Sequence, residues 1–320
     1  MAVPTAGIHH VSSIAGDPQR NVDFYAGVLG LRLVKLTVNY DDPGTYHLYY
    51  GDERGNPGSI LTYFPWGREA AVGRVGLGQV AVTSLSIIPH AIAFWIGRLI
   101  ARGVKYDGPH GRFDEQVLSF RDPDGNQIEL VGHGSAENRR GWDGGPIPAD
   151  SAIRGIHSVT LLEEDLDPPA RVLSTVLGFT PTRSSDTRFR FEAAGDSANI
   201  VDVRAAGEFW SGTMGPGTVH HVAFRTATEL EQARTRDEVV HSGLAVTPIL
   251  DRTYFQSIYF REPGGVLFES ATDQPGFTVD ESLEALGTGL QLPAWLEADR
   301  AAIELRLEAL YPPYQAGIQP

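Results

Sequence analysis

The dipeptide His-His followed by Val occurs twice, near the N-terminus and about two thirds of the way along the chain. It lies in the strand-like segments Gly7-Ile8-His9-His10-Val11 and Val219-His220-His221-Val222-Ala223. Successive side chains of a strand point to opposite faces, so we expect one histidine of each pair to face the concave side of a curved sheet. The recurrence indicates an internal repeat rather than a single continuous fold.

Four copies of one βαβββ unit account for most of the chain. Each copy has an opening strand, a helix and further strands, and the fourth ends in a Pro263-Gly264-Gly265 turn followed by a strand. The first and third helices should stop at Gly30 and Gly178, which suit a helix C-terminus. There is no glycine-rich phosphate loop, which argues against a doubly wound fold. We therefore predict an α+β protein whose copies open near residues 8, 77, 155 and 218 and whose helices span 21–29, 88–102, a segment ending at 177, and 227–242.

A segment rich in Gly, Pro and charged residues divides the chain near its middle. We predict an N-terminal domain of residues 1–135 with modules 1 and 2, a linker of residues 136–152, and a C-terminal domain of residues 153–273 with modules 3 and 4. Residues 274–320 should form a helical tail. Within it, residues 294–310 carry an apolar stripe that is typical of a helix packed on a domain.

Composition excludes several classes of protein. The chain has no cysteine, which rules out disulfides, iron–sulfur clusters and thiolate ligands and leaves His, Asp and Glu to bind a metal. A net charge of −14 without a basic cluster argues against nucleic acid as a partner. No apolar run is long enough to span a membrane, and the first residues do not resemble a secretory signal. We expect a cytoplasmic protein.

The strands of modules 1 and 4 together offer a metal site. Glu269 closes the last strand of module 4, 48 residues after His221, and a pair of histidines with one carboxylate forms a facial triad for iron. If module 1 pairs with module 4, His10 supplies the third ligand. Modules 2 and 3 would then leave Gln79, Glu129 and Ser158 at the corresponding positions.

A second assignment stays open at this stage. If modules 3 and 4 pair instead, and if the register of module 3 shifts by one residue, His157 joins His221 and Glu269. Register is weakly fixed by sequence, so the choice between His10 and His157 depends on module pairing. We interpret the other histidines as loop, helix or surface residues, namely His47, His90, His110, His133 and His241.

Two long strings make the pattern more specific. Residues 29–43 and 251–265, together with the His-His-Val strands and the βαβββ repeats, resemble the vicinal oxygen chelate superfamily, and within it the hydroquinone ring-cleaving dioxygenases. The resemblance implies two half-barrel domains, Fe(II) as the cofactor with Mn(II) as an alternative, and an aromatic substrate together with O2. It also implies that His10, His221 and Glu269 are the metal ligands.

The resemblance further implies five residues around the metal: His9, Ser12, His220, Arg252 and Tyr259. Tyr259 and one of His9 or His220 would orient the substrate hydroxyl or move its proton, and Arg252 would stabilise developing charge. Two alternatives are a glyoxalase-type isomerase with four protein ligands and a metal-free aromatic-binding protein. A homo-oligomer is compatible with the sequence.

Overall fold

The computed structural model describes residues 4–311, which form two eight-stranded sheets with a few short helices. This confirms the predicted α+β class and the four βαβββ modules, which build two half-barrels. The strands are β1 Ile8–Ala15, β2 Arg32–Asn39, β3 Asp42–Gly51, β4 Ile60–Pro65, β5 Gln79–Ile87, β6 Tyr106–Arg112, β7 Glu115–Arg121, β8 Gln127–Gly132, β9 Ile156–Glu163, β10 Thr180–Ser185, β11 Arg188–Glu192, β12 Ile200–Ala205, β13 Thr218–Thr226, β14 Leu250–Asp251, β15 Phe255–Arg261 and β16 Leu267–Pro275. The helices are α1 Pro18–Val22, α2 Ile92–Ala101, α3 Asp167–Thr175, α4 Glu229–His241 and α5 Arg300–Glu304.

The two outer modules of the chain share one sheet, and the two inner modules share the other. The first has the order β14-β15-β16-β13-β1-β4-β3-β2, so module 1 pairs with module 4. The second has the order β10-β11-β12-β9-β5-β8-β7-β6, so module 2 pairs with module 3. The predicted boundaries, 1–135 and 153–273, divide the sequence into two halves. Each sheet contains one module from the first half and one from the second.

The opening strands of modules 1 and 4 meet at the centre of the first sheet, where β1 runs antiparallel to β13. His10 lies opposite Ala223 and Ser12 lies opposite His221, a reciprocal register that gives this pair of modules an internal twofold relation. The register shifts between Ile8 and His10 on β1, and between Val219 and His221 on β13. Two β-bulges therefore fall on His9 and His220, and bulges re-aim side chains.

Local sequence explains where the module helices begin and end. Asp17 caps α1 by accepting a hydrogen bond from the Arg20 backbone N–H, and Pro18 occupies the first turn. A π-helical segment, Asp23–Val28, continues α1 up to Gly30. Gly30 and Gly178 have φ of 71° and 74°, the left-handed conformation expected of glycine after a helix.

The C-terminal tail is less helical than its apolar stripe predicts. Only a 3₁₀ turn, Glu297–Asp299, and α5 are helical within residues 294–310, so the prediction of one continuous helix is wrong. Ile303 and Leu292 pack on Val38, but Trp295 is 56% exposed and Leu305 is 88% exposed. Only part of the apolar stripe is therefore buried, and the helix is limited to a short turn. Residues 312–320 lie outside the described part of the chain.

The core lies between the sheets and the module helices and extends across all four modules. Trp95, Tyr25, Tyr50 and Phe224 are among its largest fully buried side chains. Among residues 4–311, no helix is both long and apolar enough to cross a membrane.

Candidate metal centre

Three side chains converge inside the first half-barrel, and they come from β1, β13 and β16. The Nε2 atoms of His10 and His221 are 3.3 Å apart. Glu269 Oε2 lies 3.3 Å from His10 Nε2 and 2.8 Å from His221 Nε2. All three residues are buried, and their possible ligand atoms, one from each residue, lie within 4.8 Å of one another. This spacing is that of a mononuclear metal site with two imidazoles and one carboxylate.

Glu269 provides a direct test of whether the residues suit a metal. It is fully buried, and Ser257 donates a hydrogen bond to Oε1. Within the described part of the chain, Oε2 has no hydrogen-bond partner, although both imidazole nitrogens surround it. Unpaired buried acceptors are rare, so an atom in this position is suited to a cation. Burial alone would raise the pKa of Glu269, but His10 and His221 hold that pKa well below its usual range.

The first histidine of each pair fixes the tautomer of the second, which belongs to the metal centre. His9 Nδ1 lies 3.0 Å from His10 Nδ1, and His220 Nδ1 lies 2.7 Å from His221 Nδ1. If Nδ1 of His10 and of His221 carries the proton and donates it to the neighbouring ring, Nε2 keeps a free lone pair that points to the centre. Such outer hydrogen bonds commonly orient metal-binding histidines. Burial, reinforced by the adjacent ligand histidine, lowers the pKa of His9 well below its usual value and that of His220 to about 3.

The two outer histidines occupy different surroundings. His220 lines the cavity beside the centre, whereas His9 does not. His9 lies behind His10, against Phe255 and a separate small cavity. Strict alternation along a strand predicts only one inward histidine in each pair, but both members of the second pair line the cavity, at a point where a bulge interrupts the alternation.

A cavity of about 270 Å³ opens beside the three ligands. Aromatic rings form much of its wall, and Phe64 stacks on His47 with ring centroids 4.0 Å apart. Phe64 and Trp66 line it, whereas the exposed Trp210 is not among its lining residues. The lining comprises His10, Ser12, Asn39, Tyr40, Asp41, His47, Tyr49, Phe64, Trp66, His220, His221, Arg252, Phe255, Tyr259 and Leu267.

Arg252 and Tyr259 meet on one side of this cavity. Arg252 Nε donates a hydrogen bond of 3.3 Å to Tyr259 OH, and the guanidinium also lies over the Tyr259 ring. Arg252 Nη1 is 3.6 Å from the carboxylate of Asp41, which is exposed. Burial, with the nearby Glu269 charge, raises the pKa of Tyr259 above its usual value, so its hydroxyl keeps its proton at neutral pH.

Ser12 belongs to a hydrogen-bonded chain that the sequence did not reveal. Ser12 Oγ is 2.7 Å from Thr62 Oγ1, which is 2.9 Å from His47 Nε2. His47 Nδ1 is 2.9 Å from Tyr49 OH. His47 was interpreted as a loop, helix or surface residue, but it lies on β3 inside the cavity. The alternation of His47 and Tyr49 along this strand was the available signal.

His157 does not join this centre. It lies on β9 in the second sheet, where its Nε2 is 3.1 Å from Glu115 Oε1. The alternative that placed His157 with His221 and Glu269 required modules 3 and 4 to share a sheet, and they do not. His157 takes the position of His9 in its own module and also sits at a bulge.

The second half-barrel has no matching metal site among its described residues. By strand register, Ser158, Val82 and Glu129 take the places of His10, His221 and Glu269. The expectation that Gln79 would occupy the second of these places is wrong: Val82 lies opposite Thr160 as His221 lies opposite Ser12, and Gln79 lies three residues earlier, opposite Leu162. Glu129 accepts hydrogen bonds from Arg112 and Ser84, so an arginine compensates its charge.

The fold and site define a class of protein: tandem βαβββ modules whose paired opening strands hold two histidines and a glutamate beside an aromatic cavity. Residues 7–130 and 155–270 match the model of the Glyoxalase/Bleomycin resistance protein/Dioxygenase superfamily. The chain belongs to this superfamily.

Similar proteins match the chain over nearly its whole length. "Putative ring-cleaving dioxygenase MhqO" from Bacillus subtilis is 46% identical over 95% of this chain and 96% of the relative. The chlorohydroquinone/hydroquinone 1,2-dioxygenase of Sphingobium indicum is 35% identical over 91% of this chain and 92% of its own. A crystal structure titled "putative dioxygenase" from Bacillus subtilis shares 45% identity and has a TM-score of 0.92, covering 97% of this chain and 99% of the other.

Proposed function

We propose that this protein is a metal-dependent ring-cleaving dioxygenase of the extradiol type. Its substrate is a hydroquinone, a substituted hydroquinone or a catechol, and its cofactor is Fe(II) or, alternatively, Mn(II), held by His10, His221 and Glu269. The observation that carries the proposal is the buried centre with three ligands beside an aromatic cavity. The names of the similar proteins support the same reaction class.

The position of Thr62 favours this reaction over a glyoxalase-type isomerisation. An isomerase of this fold would use four protein ligands, the fourth coming from module 1. Thr62 lies opposite Ser12 on β4, in the same relation to β1 that Glu269 has to β13. The hydroxyl of Thr62 already bonds to Ser12 and His47, and no carboxylate takes its place. Three ligands leave coordination positions free for substrates.

A divalent iron at this site supplies redox chemistry for oxygen and a Lewis acid for a ring hydroxyl. The protein residues do the rest. Tyr259 donates or accepts a hydrogen bond at the substrate oxygen, and His220, which lines the cavity, takes or returns its proton. His9 acts indirectly: it holds His10 in the tautomer that binds the metal.

The role of Arg252 is electrostatic. Its guanidinium lies beside Tyr259 at the cavity wall and is three quarters buried. A positive charge in a partly desolvated wall stabilises negative charge that develops on the ring oxygen during cleavage. The aromatic rings of Phe64 and Phe255 hold the substrate ring and exclude water from the reacting atoms.

Oxygen uptake tests the proposal. Protein loaded anaerobically with Fe(II) should consume one O2 for each hydroquinone, and the ring-opened product should be heavier than the substrate by two oxygen atoms. Chlorohydroquinone and catechol, tested in parallel, define the preferred ring. Isomerisation of a thiol adduct of a 2-oxoaldehyde without oxygen uptake would support the isomerase instead. Tight binding of the ring by metal-free protein, with no turnover, would support the binding protein. A cytoplasmic location and a homo-oligomeric state stay predictions from the sequence.

A further inference from the structure

The chain of hydrogen bonds from Tyr49 through His47 and Thr62 to Ser12 runs along the wall of the cavity. Tyr49 is 3% exposed and packs against Phe277 and Tyr254, and it lines the cavity together with His47 and Ser12. Each contact between successive members is between 2.7 and 2.9 Å. The chain contains no ionised group, since burial keeps the pKa of His47 well below and that of Tyr49 well above their usual values.

The direction of the chain follows from the hydrogen-bonding capacity of Tyr49. A phenol has one proton to donate, and within residues 4–311 the hydroxyl of Tyr49 has His47 Nδ1 as its hydrogen-bond partner. If His47 Nδ1 carried a proton, the phenol proton would be left buried without an acceptor. A buried donor without a partner is costly, so Tyr49 donates and His47 accepts at Nδ1.

The remaining directions are then fixed in sequence. A neutral His47 that accepts at Nδ1 carries its proton on Nε2 and donates it to Thr62. Thr62 is fully buried and its hydroxyl has His47 and Ser12 as partners among residues 4–311, so its own proton, which also needs an acceptor, goes to Ser12 Oγ. The hydroxyl hydrogen of Ser12 is then free to point into the cavity. With the opposite direction, Ser12 would offer only lone pairs to a ligand.

We propose that Tyr49, His47 and Thr62 are positioning residues that orient the Ser12 hydroxyl as a fixed hydrogen-bond donor to an oxygen of the bound aromatic ring. The inference rests on the proposed function for the identity of the ligand, a ring bearing hydroxyl or phenolate oxygens. Preorganised donors of this kind favour an oxygen that gains negative charge. Hydrogen bonds in a chain also polarise each other, which strengthens the terminal donor.

The tautomer of His47 tests the direction without any turnover. Protein labelled with ¹⁵N-histidine and loaded with diamagnetic Zn²⁺ should show His47 with its proton on Nε2, assigned by comparison with His47→Gln. Tyr49→Phe should remove that preference, because the donor to Nδ1 is lost. A proton on Nδ1 in the wild-type protein would overturn the inference.

Anaerobic binding of hydroquinone, measured by calorimetry, tests the effect on the ligand. Thr62→Val keeps the size of the side chain and breaks the chain, so it should weaken binding about three- to tenfold, the range for one hydrogen bond. Thr62→Ser should restore wild-type affinity. Tyr50→Phe is the matched control, because Tyr50 is adjacent, buried and bonded to Asn21 away from the cavity. It should leave affinity unchanged.

A double-mutant cycle separates orientation from packing. In a Ser12→Ala background, Thr62→Val and Tyr49→Phe should have no further effect on affinity, since both act through Ser12. Additive losses, or an equal loss in Tyr50→Phe, would contradict the inference. If the wild-type protein took up no oxygen with any ring, the proposed function would fail, and the tautomer of His47 would still decide the orientation of the chain.

Discussion

Thr62 and Glu269 occupy equivalent positions on the fourth strands of the two modules that share the first sheet. The internal twofold relation that brings His10 and His221 together would also bring two carboxylates together if both positions carried glutamate. Only module 4 does so, and Thr62 joins a hydrogen-bonded chain instead. The departure from symmetry gives a site with three ligands and one open side.

Replacing that threonine should change the chemistry without removing the metal. We expect Thr62→Glu to retain iron but to reduce oxygen uptake at least about tenfold, because a fourth carboxylate would take a coordination position that the substrates need. Thr62→Gln has the same size without the charge and serves as the control for steric effects. Full oxygen uptake by Thr62→Glu, with iron bound, would refute the importance of the open position.

Ser257 should tune the affinity of the site for its metal. Its hydroxyl donates to Glu269 Oε1 and so helps to aim the other oxygen at the centre. Loss of an outer hydrogen bond of this kind costs roughly 10- to 100-fold in metal affinity, so we expect that weakening in Ser257→Ala, measured by competition with a chelator. Ser119→Ala is the control, because Ser119 donates to Glu129 in the other sheet. Equal affinities for both variants would count against a role for Ser257.

Arg252 should contribute through the shape of its guanidinium as well as its charge. Arg252→Lys keeps the charge but loses the planar contact with Tyr259, and we expect kcat/KM to fall about 10- to 100-fold with iron content unchanged. The reason is that lysine cannot hold Tyr259 and face the ring oxygen together. Arg261 is an exposed arginine at the end of β15, the strand that carries Tyr259, and it donates to the Gly265 carbonyl, so Arg261→Lys should leave kcat/KM near the wild-type value. A similar fall in both variants would point to strand distortion.

Glu163 should make stability depend on pH. It is 1% exposed at the end of β9, and burial, followed by repulsion from Glu262, raises its pKa from 4.5 to about 8. The folded state then holds a proton that the unfolded state releases, so the free energy of unfolding falls as pH rises from about 4.5 to about 8. The fall attributable to Glu163 is on the order of 3 kcal/mol.

Urea unfolding at pH 5 and pH 8 measures this effect. Glu163→Gln should lose much of the decrease between the two pH values, whereas Glu164→Gln, an exposed neighbour, should keep it. Parallel pH dependence in the wild-type protein and Glu163→Gln would show that other groups carry the effect.

The four modules could be predicted from sequence patterns because each repeats an opening strand, a helix and further strands. The opening strands β1, β5, β9 and β13 begin within two residues of the predicted positions 8, 77, 155 and 218, and glycines end the helices at Gly30 and Gly178. The edge strand β10 gives no such signal, because its six residues are all exposed and show no apolar alternation. The tail helix was overpredicted because spacing alone does not reveal whether apolar residues share a packing surface.

The convergence of His10, His221 and Glu269 followed from matching repeat positions, and the prediction of their roles stays with the proposed function. The surroundings were harder to derive. The place of Gln79 was wrong because β5 has no histidine pair that marks its register against the other opening strands. The bulges at His9 and His220 have no sequence signal, so the sequence did not show which outer histidine lines the cavity. The chain through Thr62, His47 and Tyr49 depends on contacts between strands, which single residues do not encode.

Oxygen uptake by Fe(II)-loaded protein with hydroquinone, together with iron analysis, shows whether His10 binds the metal when His10→Ala and His157→Ala are compared. We expect His10→Ala to lose both bound iron and oxygen uptake and His157→Ala to retain both, since His157 bonds to Glu115 in the other sheet. Retention of iron and uptake in His10→Ala, with their loss in His157→Ala, would exclude His10 as a metal ligand.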